Sequence, residues 1–195
     1  MKKLSFLLAI LLISSLNLFA QEIWKVDTKE SLLRWEGRKI VGGHWGNVYL
    51  KEGTLELKNN KISGGKFIID MQSIIVLDLD ENSGKSKLEG HLRSDDFFSV
   101  DKFPTSSFEI KSVKEKKNNK YEITGDLTIK GITHSITFIA DLKIQKDKIE
   151  ARADFSIDRT KWDIRYGSGK FFDNLGDRMI KDDIKFKVKL IAKRS

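Results

Sequence analysis

Tyr121-Glu122-Ile123-Thr124-Gly125-Asp126-Leu127-Thr128-Ile129-Lys130-Gly131 decides the fold of this sequence. Tyr121, Ile123, Gly125, Leu127 and Ile129 fall on one face, while Glu122, Thr124, Asp126, Thr128 and Lys130 fall on the other. Side chains of a strand alternate between its faces, so this is a strand with one buried side, and Lys130-Gly131 signals the turn that ends it. The alternation resumes at once: Ile136, Phe138, Ala140, Leu142 and Ile144 against Thr137, Ile139, Asp141 and Lys143. Ala151, Ala153, Phe155 and Ile157 against Arg152, Asp154, Ser156 and Asp158 repeat it. So do Ile184, Phe186, Val188, Leu190 and Ala192 against Lys185, Lys187, Lys189 and Ile191. Sheets built this way bury one face and solvate the other.

Asn59-Asn60, Lys117-Asn118-Asn119 and Lys146-Asp147-Lys148 add further turn signals. Strands are expected near residues 23–27, 31–41, 45–57, 61–72, 105–116, 120–130, 133–145, 148–158 and 180–193, eight or nine in all. The one interruption is residues 83–101, where Leu88, Leu92 and Phe97-Phe98 sit at helical spacing and predict one or two short helices. No linker, repeat or low-complexity tract divides the rest. The pattern predicts an all-β domain, an antiparallel barrel or sandwich.

At the N-terminus, Met1-Lys2-Lys3 precedes a ten-residue apolar run from Leu4 to Ile13, interrupted only by Ser5, and Ala20 stands before the polar Gln21-Glu22. A basic start, a short apolar centre and a small residue before a polar one make a secretory signal peptide. The run is too short for a membrane span, which needs about 18 apolar residues or more. Residues 1–20 are therefore expected to be removed, leaving 21–195 as one exported domain, periplasmic or secreted. The whole chain has 36 Lys+Arg, 28 Asp+Glu and no Cys. Without Cys there is no disulfide framework, thiol nucleophile, Cys-ligated metal or lipid-modified cysteine. A basic protein outside the cytoplasm meets anionic lipid or glycan rather than nucleic acid.

No motif announces catalysis. Gly84-Lys85-Ser86 lacks the Gly five positions earlier that a phosphate loop requires, since residue 79 is Leu. Asp78, Asp80, Asn82 and Glu89 have the spacing of a calcium loop, but Ser83 occupies the position that needs Gly, which favours a solvated acidic loop. His44, His91 and His134 are scattered, with no metal-ligand spacing, and no Ser lies in a nucleophile elbow. Phe138, Phe155 and Phe186 share the apolar face with aliphatic residues, opposite the lysines. A nucleic-acid-binding sheet would mix its aromatics with its basic residues. Neither metal, cofactor nor nucleic acid is expected.

Several ordered segments resemble the YceI-like family of periplasmic lipid- and polyisoprenoid-binding proteins. Trp24-Lys25-Val26-Asp27 with Ser31-Leu32-Leu33-Arg34-Trp35 looks like that family's first strands, and Asp70-Met71-Gln72-Ser73-Ile74 like its strand-ending Ser-Ile segment. His91-Leu92-Arg93-Ser94-Asp95-Asp96-Phe97-Phe98-Ser99-Val100, with Phe103-Pro104-Thr105 and Phe108, is similar to its helical insertion and the strand after it. Gly125 to Thr133 and Ile157-Asp158-Arg159-Thr160-Lys161-Trp162 complete the series. Trp162 stands where a Phe is more usual, and residues 165–180 depart from the common pattern. The resemblance covers about residues 24–192. It implies a lipocalin-like antiparallel barrel of eight strands enclosing an apolar tunnel for an isoprenoid chain or other long amphiphile.

The expected function is therefore that of a non-enzymatic carrier for a polyisoprenoid, quinone or similar lipid. Leu33, Trp35, Phe67, Ile69, Leu127, Ile129, Ile136, Phe138, Phe155, Ile157 and Phe186 are the candidate tunnel residues. Arg159, His44 and Arg93 are candidates for meeting a polar head at the mouth. Peripheral contact with anionic membrane and a homodimer are both compatible with this reading. Two others stay open: a barrel filled by its own side chains that serves as an envelope interaction module, and a lipid-modifying enzyme.

Overall fold

The Lys130-Gly131 turn has both residues at positive φ, 51° and 73°, the conformation that matches the twist of two paired strands. It joins β6 (Lys120–Ile129) to β7 (Ile132–Ile144), whose register runs without a break from Ile129↔Ile132 to Lys120↔Asp141. Asn59-Asn60, at φ 53° and 60°, makes an equivalent turn between β3 (Gly43–Lys58) and β4 (Lys61–Val76). The computed structural model describes residues 21–194, so the signal-peptide reading of residues 1–20 lies outside the described residues.

β2 (Leu32–Lys39), β3, β4, β5 (Thr105–Glu115), β6, β7, β8 (Lys148–Asp158) and β9 (Ile180–Arg194) each pair antiparallel with the next. β9 returns to pair with β2, closing an eight-stranded barrel. β1 (Glu22–Val26) lies in the same slot as β2, between β3 and β9, so nine strands fill eight positions. The interruption between β1 and β2 has a local cause. Asp27 Oδ1 accepts from the amides of Lys29 and Glu30, turning the chain out of the ladder. Ser31 then bonds both polar backbone groups of Ile191. Ile191 was expected on the solvated face of its strand; it is instead fully buried, tied to this turn by Ser31 and by the Asp27 amide.

Pairing is incomplete in one wall. β7 and β8 are hydrogen-bonded only from Ala140↔Ala153 to Ile144↔Ile149, and beyond that they separate toward the Ile132 and Asp158 ends. Between β4 and β5, a 3₁₀ turn (Glu81–Ser83) and α1 (Lys85–Arg93) form the expected helical insertion. Asp80 caps the turn by accepting from the Ser83 amide at 2.7 Å. Leu92 is the buried residue of α1, and with Phe97 and Phe98 it is turned into the barrel end that the insertion covers. The opposite end is closed by Trp24, Val26, Leu57, Ile149 and Ala192, all nearly or fully buried. No described helix is long and apolar enough to cross a membrane.

Candidate functional site

Between these two ends the barrel holds an apolar cavity of about 240 Å³. Its lining residues are aliphatic and aromatic apart from Ser106, Arg152, Arg159 and Lys181, and the indole nitrogen of Trp35 is engaged by the Asn47 carbonyl. Engineered apolar voids of about 150 Å³ already take up benzene, so this space admits a segment of hydrocarbon chain.

The cavity is organised by a ladder of phenylalanines. Phe67 on β4, Phe108 on β5, Phe138 on β7, Phe155 on β8 and Phe186 on β9 follow one another around the wall, with ring centroids 6.3, 5.6, 4.5 and 5.6 Å apart. β6 contributes no ring; Gly125 stands there, and Phe108 leans across it. A Cβ at Gly125 would lie 2.6 Å from Phe108 Cε2 and 2.5 Å from the Glu109 carbonyl oxygen, so this close approach requires glycine. Phe138 and Phe155 stack face to face, 12° from parallel, where β7 and β8 have lost their hydrogen bonds. Rings thus replace the ladder in that wall.

Ten of the eleven expected tunnel residues line the cavity: Leu33, Trp35, Phe67, Ile69, Leu127, Ile129, Ile136, Phe138, Phe155 and Phe186. Ile157 does not. It has the inward parity of Phe155 but is buried in the core outside the cavity lining. Other lining residues went unnamed in the sequence reading. Val48 and Leu50 on β3 alternate clearly enough to have been found. Phe97 and Phe98, whose spacing predicted a helix, enter from the turns that follow α1.

The three head-group candidates are engaged in other ways. Arg159 is 1% exposed, and its guanidinium donates to the carbonyls of Ile164 (2.6 Å), Ile180 (3.1 Å) and Lys181 (3.2 Å) and to Asp182 at 3.4 Å. Burial pushes its pKa below the usual arginine value, while the carboxylates of Asp182 and Asp158 oppose that shift. It touches the cavity, but its donors act as a strut that fixes the chain after β8 against the start of β9. His44 bonds Asp78 through Nδ1 at 2.9 Å, and Asp78 also accepts from the Trp45 amide. Arg93 donates to the Ile74 carbonyl at 2.7 Å and lies outside the cavity lining. Asp78 and Glu89 are less solvated than the acidic-loop reading implied, because both accept from backbone amides, Glu89 from Val76. Among the described residues no three His, Asp or Glu side chains converge as a metal site would need.

One lining group is left over. The Ser106 hydroxyl is buried and has no hydrogen-bond partner.

The family model described as YceI-like domain matches residues 24–192. The chain belongs to the YceI-like family. Among curated relatives, it is 35% identical over 89 residues to a UPF0312 protein of Shewanella denitrificans, covering 46% of this chain and 44% of that protein. It is 33% identical over 112 residues to a UPF0312 protein of Staphylococcus aureus, covering 54% and 61%. The chain thus spans about half the length of the curated relatives it matches. Among solved structures it resembles BcnA of Burkholderia cenocepacia, with a TM-score of 0.65 and 19% identity over 85% of this chain and 98% of the other. A polyisoprenoid-binding domain from Saccharophagus degradans, implicated in plant cell wall breakdown, gives a TM-score of 0.63 at 12% identity over 88% and 98%. At these identities the structural likeness establishes the YceI-like barrel fold.

Proposed function

We propose that this protein is a non-enzymatic carrier that holds a long apolar ligand, a polyisoprenoid, quinone or comparable lipid, inside the barrel. The observation that carries this reading is the cavity itself: about 240 Å³, almost wholly apolar, bounded at both ends and lined by the phenylalanine ladder. Each methylene moved from water into such a space contributes roughly 0.8 kcal/mol, so ten contribute about 8 kcal/mol before association costs. A chain can be held on that basis without a charged contact. The polyisoprenoid-binding domain from Saccharophagus degradans, which shares the fold, supports the same ligand class. Residues 1–20 would deliver the domain to the periplasm or the medium, where an insoluble lipid needs a shielded path through water.

Native mass spectrometry of the purified protein, followed by solvent extraction, tests the proposal. An extractable lipid of fixed mass is expected, as is protection of an added fluorescent polyene from water. A protein that purifies empty and leaves the polyene unprotected would overturn it.

A further inference from the structure

Among the described residues ten large apolar side chains are exposed, and six of them sit in loops at the end of the barrel that α1 covers: Ile40, Val41, Leu77, Tyr166, Phe171 and Phe172. Val41 is 73% exposed and the two phenylalanines nearly half. These loops form one neighbourhood. The Ile40 amide donates to the Met179 carbonyl, and the Ile180 amide donates to the Gly167 carbonyl at 2.8 Å. The Leu77 amide donates to Trp45 in the adjoining hairpin, and the Tyr166 ring lies 4.5 Å from His91 on α1.

Two of these loops are basic: residues 38–43 and 165–181 carry Arg38, Lys39, Arg165, Lys170, Arg178 and Lys181 against Asp173 and Asp177, whereas the loop after Leu77 is acidic, with Asp78, Asp80 and Glu81. Arg38, Arg165 and Lys170 have carboxylate partners, while Lys39, Arg178 and Lys181 make no ion pair among the described residues. Lys181 also lines the apolar cavity and, with Glu36, Arg38, Lys39 and His44, a polar depression on the outside. The cavity and the basic surface therefore meet at one residue.

We infer that this end of the barrel docks on an anionic lipid bilayer, with Val41, Phe171 and Phe172 entering the interfacial region and the lysines and arginines facing acidic headgroups. Apolar tips set among basic residues suit that surface, where burial and electrostatic attraction act together. The inference rests on the carrier reading for its purpose: a lipid could pass between bilayer and cavity at Lys181 without crossing water.

The test uses the chain from Gln21, which carries every strand and lacks the apolar run of residues 4–13. Cosedimentation is measured with phosphatidylcholine vesicles, with and without phosphatidylglycerol. Binding is expected to the mixed vesicles and to weaken with salt. Val41→Asp/Phe172→Asp should reduce it by about tenfold or more, since partial insertion of the two side chains together is worth about that much in partitioning. Ile23→Asp, at the opposite end, should leave it unchanged, and thermal melts verify that both variants fold. Absence of binding, binding indifferent to salt, or equal loss in Ile23→Asp would overturn the docking face. Lipid content is read separately. Protein that carries lipid but ignores vesicles refutes the docking and leaves the carrier; protein that binds vesicles but stays empty refutes the carrier alone.

Discussion

Gly125→Ala isolates the contact on which the phenylalanine ladder depends. The added methyl would stand 2.5 Å from the Glu109 carbonyl oxygen and 2.6 Å from Phe108 Cε2. The oxygen belongs to the backbone of a paired strand and cannot withdraw without breaking register, and the ring is held between Phe67 and Phe138. Overpacking of this kind costs about 1–3 kcal/mol, and a fixed backbone atom places it in the upper half of that range. For a domain of this size each kcal/mol moves the melting temperature by about 2–4 °C, so a loss of about 4–12 °C is expected by circular dichroism. Gly37→Ala is the control: Gly37 also lines the cavity, but nothing lies within 4 Å of its Cβ position, and it should melt within about 2 °C of the parent. Because Phe108 supplies part of the clash, Gly125→Ala/Phe108→Ala should be less destabilised than the sum of its single changes by at least about 0.5 kcal/mol. If Gly125→Ala melts like Gly37→Ala, the close approach is not structural. If the double variant is strictly additive, Phe108 does not lean on β6.

Phe138→Asp sets a carboxylate between Phe108 and Phe155, where an unpaired charge is costly, and should abolish polyene uptake in a protein that still shows its β spectrum; retained uptake would remove Phe138 from the binding wall. Ser106→Ala removes the unpartnered hydroxyl, so uptake of a pure hydrocarbon chain should be unchanged or better, while a chain whose oxygen reaches that point should bind several-fold more weakly; equal effects on both would mean that Ser106 meets no ligand oxygen. Arg159→Met leaves three backbone carbonyls without their donor and should lower stability by about 3–5 kcal/mol, read as a fall in melting temperature, whereas an unchanged melt would dismiss the strut. Lys193 binds Asp27 and Glu30, each at 2.6 Å, chiefly through side-chain hydrogen bonds that hold both carboxyls below their ordinary values and raise the lysine. The carboxylates' contribution is present above their unfolded values and lost as pH falls through the depressed folded ones; the lysine's is complete below its unfolded value and lost only in strong alkali. The stability difference between the parent and Lys193→Met should thus be full from roughly pH 5 to 10 and shrink below about pH 4, and a difference constant down to pH 2 would contradict the linkage.

Strands were legible because alternation is a local property. Ile123, Leu127 and Phe138 declare their face by their neighbours alone, and turn residues such as Lys130-Gly131 fix where the pattern restarts. What stayed hidden depends on contacts between segments far apart in sequence. Gly125 reads as a weak point in a strand until Phe108 is seen lying over it. Arg159 stood as a candidate for a polar head, yet the carbonyls of Ile164, Ile180 and Lys181 take its donors, two of them more than twenty residues later. His44 likewise gave no hint of Asp78. Ile191 shows the reverse case, an outward position buried because a kink between β1 and β2 bonds back onto it. Charged and polar side chains choose partners by geometry, and the alternation records only the side from which they start.

The cavity is also a stability problem. Unfilled apolar space costs about 24 cal/mol per Å³ in measured core truncations, so an interior lined this way forgoes packing that a filled core would gain. One larger side chain at Ala140 or Ala153, both of which face the space, would recover part of it. The sequence instead keeps the wall of the space apolar and directs its strongest polar contacts elsewhere: Arg159 onto carbonyls, Ser31 onto Ile191, and Lys193 onto the β1–β2 kink. Stability is thereby gathered in the sheet closure and the struts rather than in the packing of the interior. A ligand that fills the space restores the dispersion contacts its lining lacks, and so couples its own binding to the stability of the barrel.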